Sequence, residues 1–158
     1  MDNSSNNNAI TPNPALIFFR GLIGSWKTVG RHPYFPEQEF HGSTTFEWIE
    51  GGAFVRMHSV MHESPVPNGV AIFGSDDTTG GVFMLYYDNR QVSRKYNAAI
   101  NDFTLSWWRD TPEFSQRFTM SIVENSSTIV SKGQMRKGDG DWEDDLELTY
   151  SRTMNEEL

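Results

Sequence analysis

The chain contains no cysteine. Disulfides, thiolate metal sites and thiol catalysis are excluded together. No apolar run approaches the roughly 18 residues of a membrane-spanning helix. Positive charge is scarce: 13 Lys and Arg stand against 21 Asp and Glu, for a net charge of −8. Phosphates and anionic membrane surfaces are both held by basic side chains, so neither nucleic acid nor membrane is an expected partner. The first residues, Met1 to Asn8, lack a basic n-region and an apolar h-region, so no signal peptide is read and a cytoplasmic location is expected. Catalytic fingerprints are missing too: no G-x-S-x-G elbow, no P-loop and no G-x-G-x-x-G. The run from Asp139 to Asp145 has the acids of a calcium loop, but Asp144 stands at the sixth position, where such a loop needs Gly. It reads as an acidic hairpin.

What the chain does have is aromatic residues and turns. Its 158 residues fit one domain with a real core, and 11 Phe, 5 Trp and 5 Tyr favour the pleated, half-buried surface of a sheet. Residues 1–12 read as a disordered polar tail, 13–152 as a single β-barrel domain and 153–158 as a C-terminal tail. Asn13-Pro14 resembles a helix cap followed by a first-turn proline, with Leu16, Phe19 and Leu22 at helical spacing and Gly24 where a C-cap glycine belongs. So short a helix is not stable alone and must plug something. From Ser25 onward, strand-like runs alternate with turn clusters such as Glu50-Gly51-Gly52, Asp88-Asn89-Arg90, Glu124-Asn125-Ser126 and Lys137-Gly138-Asp139-Gly140. About ten strands are predicted, at 25–33, 39–49, 53–63, 68–75, 81–88, 91–99, 103–109, 114–124, 127–136 and 142–152. An all-β meander of that size closes to remove its edges, so a closed antiparallel up-and-down barrel is expected.

Alternation assigns faces. Phe40, Thr44, Phe46 and Trp48 are expected inside. So are Phe103, Leu105 and Trp107, and then Trp142, Leu146, Leu148, Tyr150 and Arg152.

Gly24-Ser25-Trp26 on the first strand, with Arg152 ending the last, resembles the closing signature of the calycin superfamily, which includes lipocalins and fatty-acid-binding proteins. The segments Gly42 to Gly52, Tyr87-Asp88-Asn89-Arg90, Arg94-Lys95-Tyr96 and Leu148-Thr149-Tyr150-Ser151-Arg152 are similar to a bacterial family of uncharacterised lipocalin-like proteins, the DUF1579 family. The resemblance spans almost all of the chain after residue 14. It implies a calycin-type barrel in which Trp26 packs under Arg152 at the closed end. Among ten-stranded relatives, nitrobindin-like proteins ligate haem through a histidine near the C-terminus. Residues 142–158 hold no histidine, so no cofactor is expected. Fatty-acid-binding proteins hold a carboxylate with Arg-x-Tyr on their last strand. Here the only Arg-x-Tyr is Arg94-Lys95-Tyr96, on a middle strand.

Several polar residues are candidates for a site. Arg94 and Tyr96 share a face and, pointed inward, offer a guanidinium fork and a phenol to a carboxylate or polar head group; the plain alternative is an internal salt link. Arg56, His58 and His62 share a face with Phe54 and Val60, and alternation leaves open whether it points in or out. On a strand His58 and His62 stand about 13 Å apart, too far to share a metal ion, so no metal site is expected. Tyr86, Trp107, Phe46 and Met84 would supply apolar wall. The leading expectation is a barrel that binds a small hydrophobic or amphipathic ligand through Arg56, His58, Tyr86, Arg94, Tyr96 and Trp107. The alternatives are an enzyme using His58 as acid/base, or a barrel filled by its own side chains that serves as a structural module or homodimer.

Overall fold

In a computed structural model, which describes residues 9–63, 65–123 and 127–153, ten strands form one closed barrel. They are β1 Gly24–Arg31, β2 Phe40–Ile49, β3 Phe54–Met61, β4 Gly69–Ser75, β5 Val82–Asp88, β6 Val92–Asn101, β7 Thr104–Arg109, β8 Phe114–Val123, β9 Thr128–Lys137 and β10 Glu143–Arg152. Each strand pairs antiparallel with the next, and β10 returns to β1. This is the expected up-and-down barrel, with every strand where the turn chemistry placed it to within about two residues. The turn expected at Glu124-Asn125-Ser126 lies outside the described residues, as do most of the two tails. Thr11 and Thr153 are tied down: the amide of Thr11 donates to the Gly51 carbonyl (2.8 Å) and that of Thr153 to the Ser25 carbonyl (3.1 Å).

The N-terminal plug is a 3-10 helix, Pro14–Leu22. It kinks at Leu16, whose backbone leaves helical geometry (φ −113°, ψ 19°), and beyond the kink Phe19 and Leu22 stand one three-residue turn apart, with Leu16 and Phe18 buried beside them. Leu16, Phe19 and Leu22 are fully buried, and each contributes about 1.5–3 kcal/mol against exposure. The Phe19 ring packs on Phe73 (4.7 Å) and Phe46 (6.1 Å). Asn13 anchors the start of the helix: its Oδ1 accepts from the Ala15 amide, while Nδ2 donates to the Ala53 carbonyl and to Ser75 Oγ.

Gly24 does not cap this helix; Ile23 does, and Gly24 opens β1 at φ +125°. A Cβ there would lie 3.0 Å from the Arg152 guanidinium. That group lies over the Trp26 indole, 4.1 Å from the ring centroid, and donates to the carbonyls of Gly21 (2.6 Å) and Ile23 (2.9 Å). Trp26 is fully buried and donates through Nε1 to the Leu22 carbonyl (2.8 Å). Plug, first strand and last strand are thus joined at one point. Trp26 and Arg152 also face each other in register.

Two face assignments need correction. Phe103 is 70% exposed, because it sits in the β6–β7 turn ahead of the alternating run. Trp142 precedes β10 and packs under Arg117 (3.9 Å) and Arg136 (4.9 Å), whose strand positions face outward. Arg152 has the inward parity of Tyr150, but at the barrel's end its side chain is exposed. Among the described residues no helix is long and apolar enough to cross a membrane.

Candidate functional site: a cavity at the open end

The plug fills one end of the barrel; the other end holds a cavity of about 520 Å³, within the range of small-molecule sites. Met57, Ala71 and Met84 line it from β3, β4 and β5, and Trp107, Phe118, Leu148 and Tyr150 from β7, β8 and β10. The Trp107 and Phe118 rings stack, 5.4 Å apart and 14° from parallel. Burial holds the Tyr150 hydroxyl pKa well above its ordinary value. Tyr34 and Phe35 of the β1–β2 loop and the segment Pro65-Val66-Pro67 form the mouth.

A polar chain runs along one side of this apolar space. Tyr96 Oη (2.7 Å) and Arg94 Nη1 (3.1 Å) both donate to Gln116 Oε1. The Gln116 amide nitrogen donates to Asp145 Oδ2 (3.0 Å). Asp145 Oδ1 meets His32 Nε2 (3.1 Å) and the Leu146 amide (2.8 Å). The Tyr34 amide donates to His32 Nδ1 (3.0 Å), so Nε2 carries the proton that Asp145 accepts. His32 and Asp145 are largely buried, with side chains 16% and 11% exposed. Burial raises the Tyr96 pKa, opposed by the nearby Arg94 and Arg109 guanidinium groups.

Asp145 enters the cavity through an irregularity. In β10 Asp144 pairs with Gln134 and Glu147 with Lys132, so Asp145 and Leu146 together oppose Gly133. Such a β-bulge re-aims a side chain. Strict alternation puts Asp145 outside, with Glu143 and Glu147.

A second polar cluster stands at the rim. Asp88, whose side chain is fully buried, accepts from Tyr86 Oη (2.7 Å) and from Arg90 (2.6 Å to Nη2). Burial alone would raise the Asp88 pKa, but the bonds from Arg90 and Tyr86 outweigh it and hold it at about 2. The Tyr86 phenol is pushed the other way, first by burial and then by Asp88. Deeper in, Thr28, Thr44 and Ser59 form a hydroxyl chain.

Of the residues singled out in the sequence, Tyr86, Arg94, Tyr96 and Trp107 line the cavity. Arg56 and His58 do not. In β3 the residues Val55, Met57, Ser59 and Met61 turn inward, so Arg56 and His58 are exposed on the outer wall, with Arg56 paired to Glu47 (2.6 Å). His58 therefore has no position from which to act as an acid or base inside the barrel. Sequence reasoning missed His32, Gln116 and Asp145. Gln116 carried a signal, since it shares its face with Phe114 and Phe118; the bulge that delivers Asp145 left none.

Haem fits this cavity poorly. Both nitrogens of His32 are engaged, His41 is held by Glu39 and Glu63, and His58 and His62 are exposed on the outside. Among the described residues, no imidazole faces the cavity with a free nitrogen to ligate iron. Nor do any three His, Asp or Glu side chains among them gather to hold a metal ion.

The chain shares its fold with Rv2717c of M. tuberculosis. The match covers 91% of this chain and all of that one, with a TM-score of 0.64 at 13% identity. Identity that low speaks for fold alone. A protein of unknown function from Nostoc punctiforme, of the DUF3598 family, aligns over 88% of this chain and 99% of its own at 7% identity, but its TM-score of 0.32 carries no weight. No family profile matches the chain, and no curated protein matches it.

Proposed function

We propose that the protein is a small-molecule-binding barrel whose ligand is amphipathic, with an apolar body in the cavity and an anionic head group at Arg94. The observation that carries this reading is the company Arg94 keeps. Its guanidinium lines a largely apolar cavity, yet its partners are neutral: the Gln116 carbonyl (3.1 Å) and the Phe114 ring (5.6 Å). Among the described residues, no carboxylate lies within ion-pair distance of it. A partly desolvated cation without a counter-ion is stabilised by an incoming anion, and a guanidinium fork suits a carboxylate or sulfonate. A barrel filled by its own side chains would leave no such space. Kinship with the lipocalin-like DUF1579 proteins belongs to the same proposal and rests on the order of the shared motifs. Native mass spectrometry of the protein as purified, followed by denaturation, tests the reading. The expected result is a co-purifying amphipathic acid, or an apo mass that takes up one decanoate. An apo mass that takes up none contradicts it.

A further inference from the structure

We propose that Gln116 sets the charge selectivity of the cavity, an inference that rests on the reading of the cavity as an amphipathic-anion site. The orientation of its amide is fixed by chemistry. Arg94 and Tyr96 are donors here, so the oxygen must face them; Asp145 accepts, so the nitrogen must face it. Gln116 therefore stands as a neutral spacer between a cation and a carboxylate on opposite sides of one amide. It satisfies both, yet neutralises neither. Asp145 has its own three bonds, from His32, Leu146 and Gln116. Arg94 keeps its full charge, and only one of its N–H groups is used by Gln116.

An acid of the same shape would behave differently. The substitution Gln116→Glu, made together with Asp145→Asn so that no second carboxylate shares its proton across the 3.0 Å now bridged by the amide, would put a carboxylate against Arg94 and Tyr96, and the cavity would hold its own counter-ion. An anionic head group would then meet like charge and bind more weakly. A neutral ligand would be unaffected, since it depends on the apolar wall.

The test compares a matched pair of ligands, decanesulfonate and 1-decanol, by calorimetric titration. Wild-type protein is expected to prefer the sulfonate. Gln116→Glu/Asp145→Asn is expected to lose more than about tenfold in sulfonate affinity relative to Asp145→Asn alone, and less than about threefold in affinity for decanol. Retained decanol binding also shows that the variant is folded. Gln116→Met, neutral and of similar size, is expected to keep the preference for sulfonate. The proposal is overturned if Gln116→Glu/Asp145→Asn binds sulfonate as Asp145→Asn does, or if Gln116→Met loses the preference as fully as the acidic variant does. If wild-type protein binds neither ligand, the reading of the cavity itself fails, which is a different outcome.

Discussion

Gly133→Ala is a substitution whose cost follows from a single contact. Gly133 faces inward on β9, directly opposite Phe118 on β8. The Phe118 ring lies across it. A Cβ added at Gly133 would fall deep inside van der Waals contact with the ring edge, and even Cζ would be only 3.0 Å away. The backbone there does not need glycine, since Gly133 is not among the residues with positive φ. The cost is therefore steric. The ring stacks on Trp107 (5.4 Å), so moving away from the new methyl group breaks that contact. Overpacking of this kind costs about 1–3 kcal/mol. Urea denaturation should show a lower midpoint with an unchanged m-value. Phe118→Leu removes the obstructing ring, so in that background Gly133→Ala should cost little, giving a coupling of about 0.5–3 kcal/mol. A single-mutant effect within about 0.5 kcal/mol, or the same cost in both backgrounds, would refute the steric account.

Other expectations follow from the same contacts. Arg152→Ala removes the stack on Trp26 and two carbonyl bonds at the closed end, and should lower stability by about 1–3 kcal/mol by denaturation. Arg152→Lys should recover part of this, since an ammonium keeps the charge but not the fork. Asp88 links stability to pH. Its folded pKa of about 2 lies below its ordinary 3.8, so its contribution is full above about pH 4 and is lost as pH falls toward 2. Discounted for the exposure of Arg90, that contribution is about 1–2 kcal/mol, and Asp88→Asn should flatten this part of the stability–pH curve. Arg56→Ala and His58→Ala, on the outer wall, should each shift stability by less than about 0.5 kcal/mol and leave ligand titrations unchanged.

The barrel was legible because its signals agree. Turn residues separate runs of strand length, and β2 and β7 alternate clearly enough to fix which way Phe46 and Trp107 point. β3 was not legible: apolar residues sit on both of its faces, with Val55 and Met57 against Phe54 and Val60, so alternation could not place Arg56 or His58. β6 could be read, since Arg94 and Tyr96 share parity with Val92 and Ala98. β10 misled at its start, because a bulge adds one residue to a period of two and turns Asp145 inward. The cavity's polar chain depends on that bulge and on His32, which lies beyond the end of β1. Neither leaves a periodic trace in the sequence. The sequence places the plug but not its pitch, since the spacing of Leu16, Phe19 and Leu22 suits three residues per turn as well as 3.6.

The central claim is that Arg94 anchors an anionic head group inside the barrel. It is tested most directly by titrating decanoate into wild-type protein and into Arg94→Met, with 1-decanol as the neutral control. The account expects saturable one-to-one binding of decanoate to wild type, weakened by more than about tenfold in Arg94→Met while decanol binding is unchanged. Equal decanoate affinity in the two proteins, or no binding to wild type, would contradict it.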